Sequence, residues 1–127
     1  MNPQVALKQP QKSLQFSING TTFEIQFPNN EQYLRIQNKK LLLSPNYDAL
    51  SYIGAEGEWA HNLVDVEAHL SVLCPDFIKS LSKKFGELSL IEGRELVEAY
   101  SEQFRPWYNE WMNFIFSASK KADETTA

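Results

Sequence analysis

Leu14–Phe27 reads LQFSINGTTFEIQF, and this stretch decides the fold class. Leu14, Phe16 and Ile18 alternate with polar neighbours, Asn19-Gly20 interrupts, and Phe23, Ile25 and Phe27 resume the alternation. A period of two is that of a strand with one buried face. Asn-Gly between two such runs specifies a β-hairpin, because a two-residue type I′ turn needs positive φ at both central positions. The apolar face of this hairpin requires a cover. Pro28 stops the second strand, and helical signals follow from there onward. The expected class is α+β: an N-terminal β-hairpin packed on a mainly helical domain of about four helices.

Working outward, Asn29 or Asn30 caps a helix running from Glu31 to about Leu43, with Tyr33, Leu34, Ile36 and Leu41 among its apolar positions. Ser44-Pro45-Asn46 breaks it. A short helix is expected over Tyr47–Ile53, ended by Gly54. Trp59, Leu63, Val66, Leu70 and Leu73 then fall at four-three spacing on one helix face, stopped by Pro75. Residues 76–85 read as another short helix with Gly86 behind it. Ser89 and Glu92 match a capping box at the head of the last helix.

That last helix carries YSEQFRPWYNEWMNFIF at Tyr100–Phe116. Tyr100, Phe104, Trp107, Trp111 and Phe114 form one aromatic stripe at alternating spacings of four and three. Pro106 removes a backbone donor and clashes one turn back, so a kink in a continuous helix is expected there. So much ring area must be buried against something. The stripe is either core, packed on the sheet and the Trp59 helix, or a docking face for another protein, since Trp and Tyr are favoured interface anchors. Trp107, Tyr108 and Trp111 are the candidate partner-contact residues; Phe104 reads as core, and Tyr108, off the main stripe, as the most exposed of the set.

The chain of 127 residues is 43% hydrophobic and 22% charged, the composition of one globular domain. Residues 1–12 and 117–127 lack hydrophobic periodicity and read as a flexible arm and tail around a domain at 13–116. A net charge of −4 speaks against duplex DNA as a partner, because phosphate binders carry basic stripes, and here the basic clusters, Lys39-Lys40, Lys83-Lys84 and Lys120-Lys121, are no more than pairs. One cysteine, Cys74, excludes an intrachain disulfide and fits a reducing compartment. No run reaches the roughly 18 apolar residues of a membrane span, and the N-terminus has no apolar signal core.

Catalytic and cofactor motifs do not emerge. There is no G-x-S-x-G and no P-loop, and five glycines leave little material for a phosphate cradle. Cys74 beside Pro75 reads as a structural thiol. The one metal-like pattern is Glu58, His61, Asp65 and His69, an E-x-x-H extended along one helix. His61 and His69 lie roughly 12 Å apart along that helix, too far to share an ion. The plainer reading is a polar flank beside the Trp59–Leu73 stripe, with Asp65 and His69 as an i,i+4 pair. A small metal-binding helical enzyme built on this flank is the alternative to a contact protein.

Three segments together resemble small proteins of tailed bacteriophages, of the tail-assembly-chaperone or minor virion-protein kind. They are FSINGTTFEIQFPNNEQYLRI at Phe16–Ile36, LVDVEAHLSVLCP at Leu63–Pro75 and EQFRPWYNEW at Glu102–Trp111. The resemblance implies a non-enzymatic protein that contacts other virion or assembly proteins; an aromatic patch left uncovered would in addition favour a homo-oligomer. The resemblance places the protein in the host cytoplasm during assembly or in the virion, and implies no cofactor and no catalytic residue.

Overall fold

The computed structural model describes residues 9–126. Strands β1 (Ser13–Ile18) and β2 (Thr21–Gln26) form the expected antiparallel hairpin, with Phe16 opposite Phe23 and Leu14 opposite Ile25. Asn19 and Gly20 turn at φ of 51° and 80°, the left-handed pair that a type I′ turn needs. The ladder runs on past β2, where the Phe27 N–H donates to the Lys12 carbonyl at 2.9 Å.

Helices follow as α1 (Asn30–Leu43), α2 (Tyr47–Leu50), α3 (Ala55–Leu73), α4 (Pro75–Ser80), a 3-10 turn at Phe85–Glu87, α5 (Leu90–Ala99), a π turn at Tyr100–Phe104 and α6 (Arg105–Thr126). The chain is therefore α+β, with a hairpin on a helical domain. Two helix starts are written locally. Asn29 and Gln32 exchange side-chain and backbone hydrogen bonds at α1, and Ser89 and Glu92 do the same at α5. Pro75 does more than end α3, because it occupies the first turn of α4, where a missing N–H costs nothing. The helix expected over residues 76–85 stops at Ser80. The Ser80 hydroxyl donates to the Phe77 carbonyl at 2.6 Å, and Leu81 turns to extended backbone.

Packing α2 against α3 depends on Gly57. A Cβ there would stand 2.1 Å from the Leu50 carbonyl oxygen, which is backbone and cannot yield. The core is one cluster in which Phe16, Ile25, Ile36, Val66, Leu70 and Phe104 are sealed from solvent. Phe77 of α4 meets both Phe16 and Phe23 edge-to-face, at 5.9 and 5.5 Å.

From Leu90 to Thr126 the backbone stays helical, but the departure from α geometry precedes Pro106 and is not centred on it. Arg105 N–H bonds to the Tyr100 carbonyl in π register, a turn widened by one residue just ahead of the ring. Tyr100, Phe104, Trp107 and Trp111 all remain on the buried side across it. Gln103, on this turn, holds the outer edge of β1: its amide donates to the Ser17 carbonyl and its carbonyl accepts from the Ser17 N–H, each at 2.7 Å. A side-chain carboxamide thus stands in for a third strand at that point.

Residues 1–8 lie outside the described residues, but Gln11 and Lys12 are fixed by hydrogen bonds to Trp107, Trp111 and Phe27. At the other end α6 continues to Thr126, through the stretch read as a tail, with Ala127 outside the described residues.

Candidate functional site

The aromatic stripe is covered within the monomer. Trp107 and Trp111 retain only 7% and 6% of their exposure, and both indole N–H groups donate to the Gln11 carbonyl, at 2.7 and 2.8 Å. Phe27, at the end of the hairpin, stacks on Trp111 with centroids 4.5 Å apart and meets Trp107 edge-on at 5.8 Å. The expectation that these two tryptophans face a partner is therefore corrected: Phe27 and the Gln11 backbone cover them within the monomer. Tyr108 is half-buried, stacked on Phe104 at 5.3 Å, and Phe104 is core as read.

Tyr108 borders the most concentrated polar chemistry in the molecule, which centres on Asp65. Asp65 and His69 share one flank of α3, four residues apart, while Val66, Leu70 and Leu73 point into the core. α1 brings Lys40 in its last turn, α2 brings Tyr47, and the C-terminal helix brings Tyr100, Arg105 and Tyr108. Tyr47 donates its hydroxyl proton to Asp65 Oδ1. Lys40 Nζ lies 3.7 Å from Oδ1, and His61 Nδ1 and Arg105 Nη2 each lie 3.6 Å from Oδ2. A carboxylate this buried is tolerated because cations and a hydroxyl surround it.

The expected Asp65–His69 side-chain pair is replaced by a different bond. His69 Nδ1 lies 2.8 Å from the Asp65 backbone carbonyl, which only accepts, so Nδ1 carries the proton. Tyr100 Oη, at 3.1 Å from the same nitrogen, is a second neighbour of that N–H. The ring is 3% exposed, and its Nε2 is a buried acceptor without a hydrogen-bond partner among the described residues. Burial, with Lys40 adding repulsion, pushes the imidazole down to about 4. Burial also lowers Lys40, against the opposing pull of Asp65. Tyr47 and Tyr100 are both raised, first by burial and then through Asp65, and burial pushes Tyr108 up to about 12. All three phenols stay protonated donors at neutral pH.

This cluster opens on a cavity of about 240 Å³ lined by Tyr33, Gln37, Lys40, Asp65, His69, Tyr100, Arg105, Tyr108, Asn109 and Met112. Of the metal-like set, the structure brings His61 and Asp65 together and turns His69 Nδ1 toward the Asp65 backbone carbonyl, while Glu58 is exposed. Among the described residues no three His, Cys, Asp or Glu side chains converge as a metal set.

A second surface was not read from the sequence. Leu42, Tyr52, Ile53, Leu90 and Ile91 are 75, 87, 66, 70 and 76% exposed. Leu43 and Leu90 line one trough of about 260 Å³ with Leu63, Phe85 and Leu88, joining the end of α1 to the start of α5. The signal was present in Leu41-Leu42-Leu43: three successive helical residues span some 200° of the helix, so one core-facing stripe cannot absorb them all. Comparison of the chain with protein-family models, curated proteins and solved structures returned no match. None of the described helices is long and apolar enough to cross a membrane.

Proposed function

We propose that this protein is a non-enzymatic contact protein of tailed-bacteriophage assembly, which binds another assembly or virion protein through the apolar surface of the α1–α2 corner and the start of α5. The observation that carries the reading is the exposure of Leu42, Tyr52, Ile53, Leu90 and Ile91, with Leu90 lining a trough shared with Leu43, the neighbour of Leu42. Isolated exposed leucines need no explanation, but several large apolar side chains this exposed, one of them in the wall of a trough, are what an interaction site offers. Covering these five side chains returns on the order of 5–10 kcal/mol at the usual worth of apolar area. That is comparable with the roughly 4–15 kcal/mol lost in association, so the surface suits a partner that adds polar contacts of its own. The resemblance of the three segments to small phage proteins supplies the class of partner. The docking face proposed is thus not the Trp107–Trp111 stripe, which serves to fix α6 against the hairpin.

The test is co-expression with the products of the neighbouring genes, comparing the native chain with Leu42→Lys/Ile91→Lys. Both changed positions are exposed, so circular dichroism and melting temperature should hold while co-purification is lost. Co-purification that survives the double change, in a folded protein, would remove this surface from the account.

A further inference from the structure

The Asp65 cavity plays no part in the surface reading, and its charges do not close. Two cations, Lys40 and Arg105, face it with one carboxylate, Asp65. Neither cation is within hydrogen-bonding distance of that carboxylate: Lys40 Nζ stands 3.7 Å away and Arg105 Nη2 3.6 Å. Arg105 instead donates to Asn62 Oδ1 at 3.2 Å and reaches Ser101 Oγ at 3.5 Å. Among the described residues Lys40 Nζ finds no hydrogen-bonded acceptor; the Tyr47 ring, 5.1 Å away, faces it. Asp65 Oδ1 is already occupied by the Tyr47 hydroxyl. His69, also in the lining, holds the one buried side-chain nitrogen or oxygen without a partner among the described residues, and in its Nδ1–H form that atom accepts a proton bond.

We propose that this cavity is a binding site for a small oxyanion that also carries an O–H group, the chemistry shared by hydrogen phosphate and by short hydroxycarboxylates. The anionic oxygens sit between the Lys40 ammonium and the Arg105 guanidinium, restoring the charge balance that Asp65 alone leaves incomplete. The ligand O–H supplies the donor that His69 Nε2 lacks. The Tyr100 and Tyr108 phenols, held protonated, flank the same space as donors. Size sets the class: about 240 Å³ lies below the range of about 300–1,000 Å³ typical of organic cofactor pockets, and holds one such ion with a few waters.

The experiment is a nuclear magnetic resonance titration of the full chain, following the His69 ring and the Arg105 side chain, with inorganic phosphate, glycolate and acetate as separate probes. Phosphate and glycolate are expected to saturate with matching shifts at His69 and Arg105, and acetate, which has no O–H, to bind at least tenfold more weakly. Phosphate alone saturating would assign the site to a phosphate source, and glycolate alone to an organic acid; either outcome supports the site. Lys40→Met, checked for folding by circular dichroism, should weaken the tighter probe at least tenfold. The absence of saturable shifts at both residues for phosphate and glycolate up to about 10 mM, a range that reaches millimolar affinities, overturns the proposal. Acetate binding as tightly as glycolate overturns it too, as does a folded Lys40→Met that binds undiminished.

Discussion

Replacing His69 by glutamine should flatten the response of stability to acid. The imidazole is packed between α3, α1 and the C-terminal helix at the wall of the cavity, facing Lys40, Arg105, Tyr100 and Tyr108 along with Asp65 of its own helix. Its folded value is held down to about 4, against 6.5 for the free side chain, chiefly by burial and next by Lys40. Because the folded value is the lower one, the unfolded chain takes up the proton first as pH falls. The stability contributed by neutral His69 is therefore complete above about 6.5, declines from there, and is gone once pH has dropped through about 4. At about 1.4 kcal/mol per unit the gap is worth about 3 kcal/mol, a large part of the 5–15 kcal/mol typical of a domain. The assay is urea unfolding of the native chain and His69→Gln at a series of pH values between neutrality and about 4. The native chain should lose about 3 kcal/mol more than the variant over that window, whatever constant offset the substitution brings. Parallel curves for the two proteins would refute the reasoning, since they would mean that the ring protonates in place and finds a partner for Nε2.

Other consequences concern the scaffold. Trp111→Ala should cost about 3–5 kcal/mol in urea unfolding, because it empties a ring-sized space under Phe27 and deletes the bond to Gln11. Gly57→Ala should destabilise by about 1–3 kcal/mol, with the loss seen in melting temperature, since its Cβ meets the Leu50 carbonyl. Gln103→Ala removes both bonds to Ser17 and should cost about 1–2 kcal/mol; faster hydrogen exchange at the Ser17 amide is the specific readout.

Features encoded within a few residues were legible in the sequence. Asn19-Gly20 dictates a turn whatever surrounds it, and the capping boxes at Asn29 and Ser89 act over three residues. Apolar period placed Val66, Leu70 and Phe104 in the core. What failed depended on partners distant along the chain. Whether Trp107 and Trp111 face solvent is decided by Phe27 and by the Gln11 carbonyl, about a hundred residues earlier and carrying no motif. The polar cluster was half-seen through His61, Asp65 and His69. Its remaining members, Lys40, Tyr47, Tyr100 and Arg105, arrive from three other elements at no regular spacing. Pro106 announced a disturbance but not its form: a widened turn one step upstream keeps the aromatic side facing inward. The continuation of α6 to Thr126 had no apolar period to reveal it, and Ala, Lys and Glu in that stretch are simply good helix formers.

The most direct test of the contact reading is the affinity between the co-expressed partner and the native chain, set against Leu42→Lys/Ile91→Lys by calorimetry on folded proteins. The account predicts a loss of at least tenfold, about 1.4 kcal/mol or more, with no change in melting temperature. Unchanged affinity, alongside loss of binding when exposed residues elsewhere are altered, would contradict it.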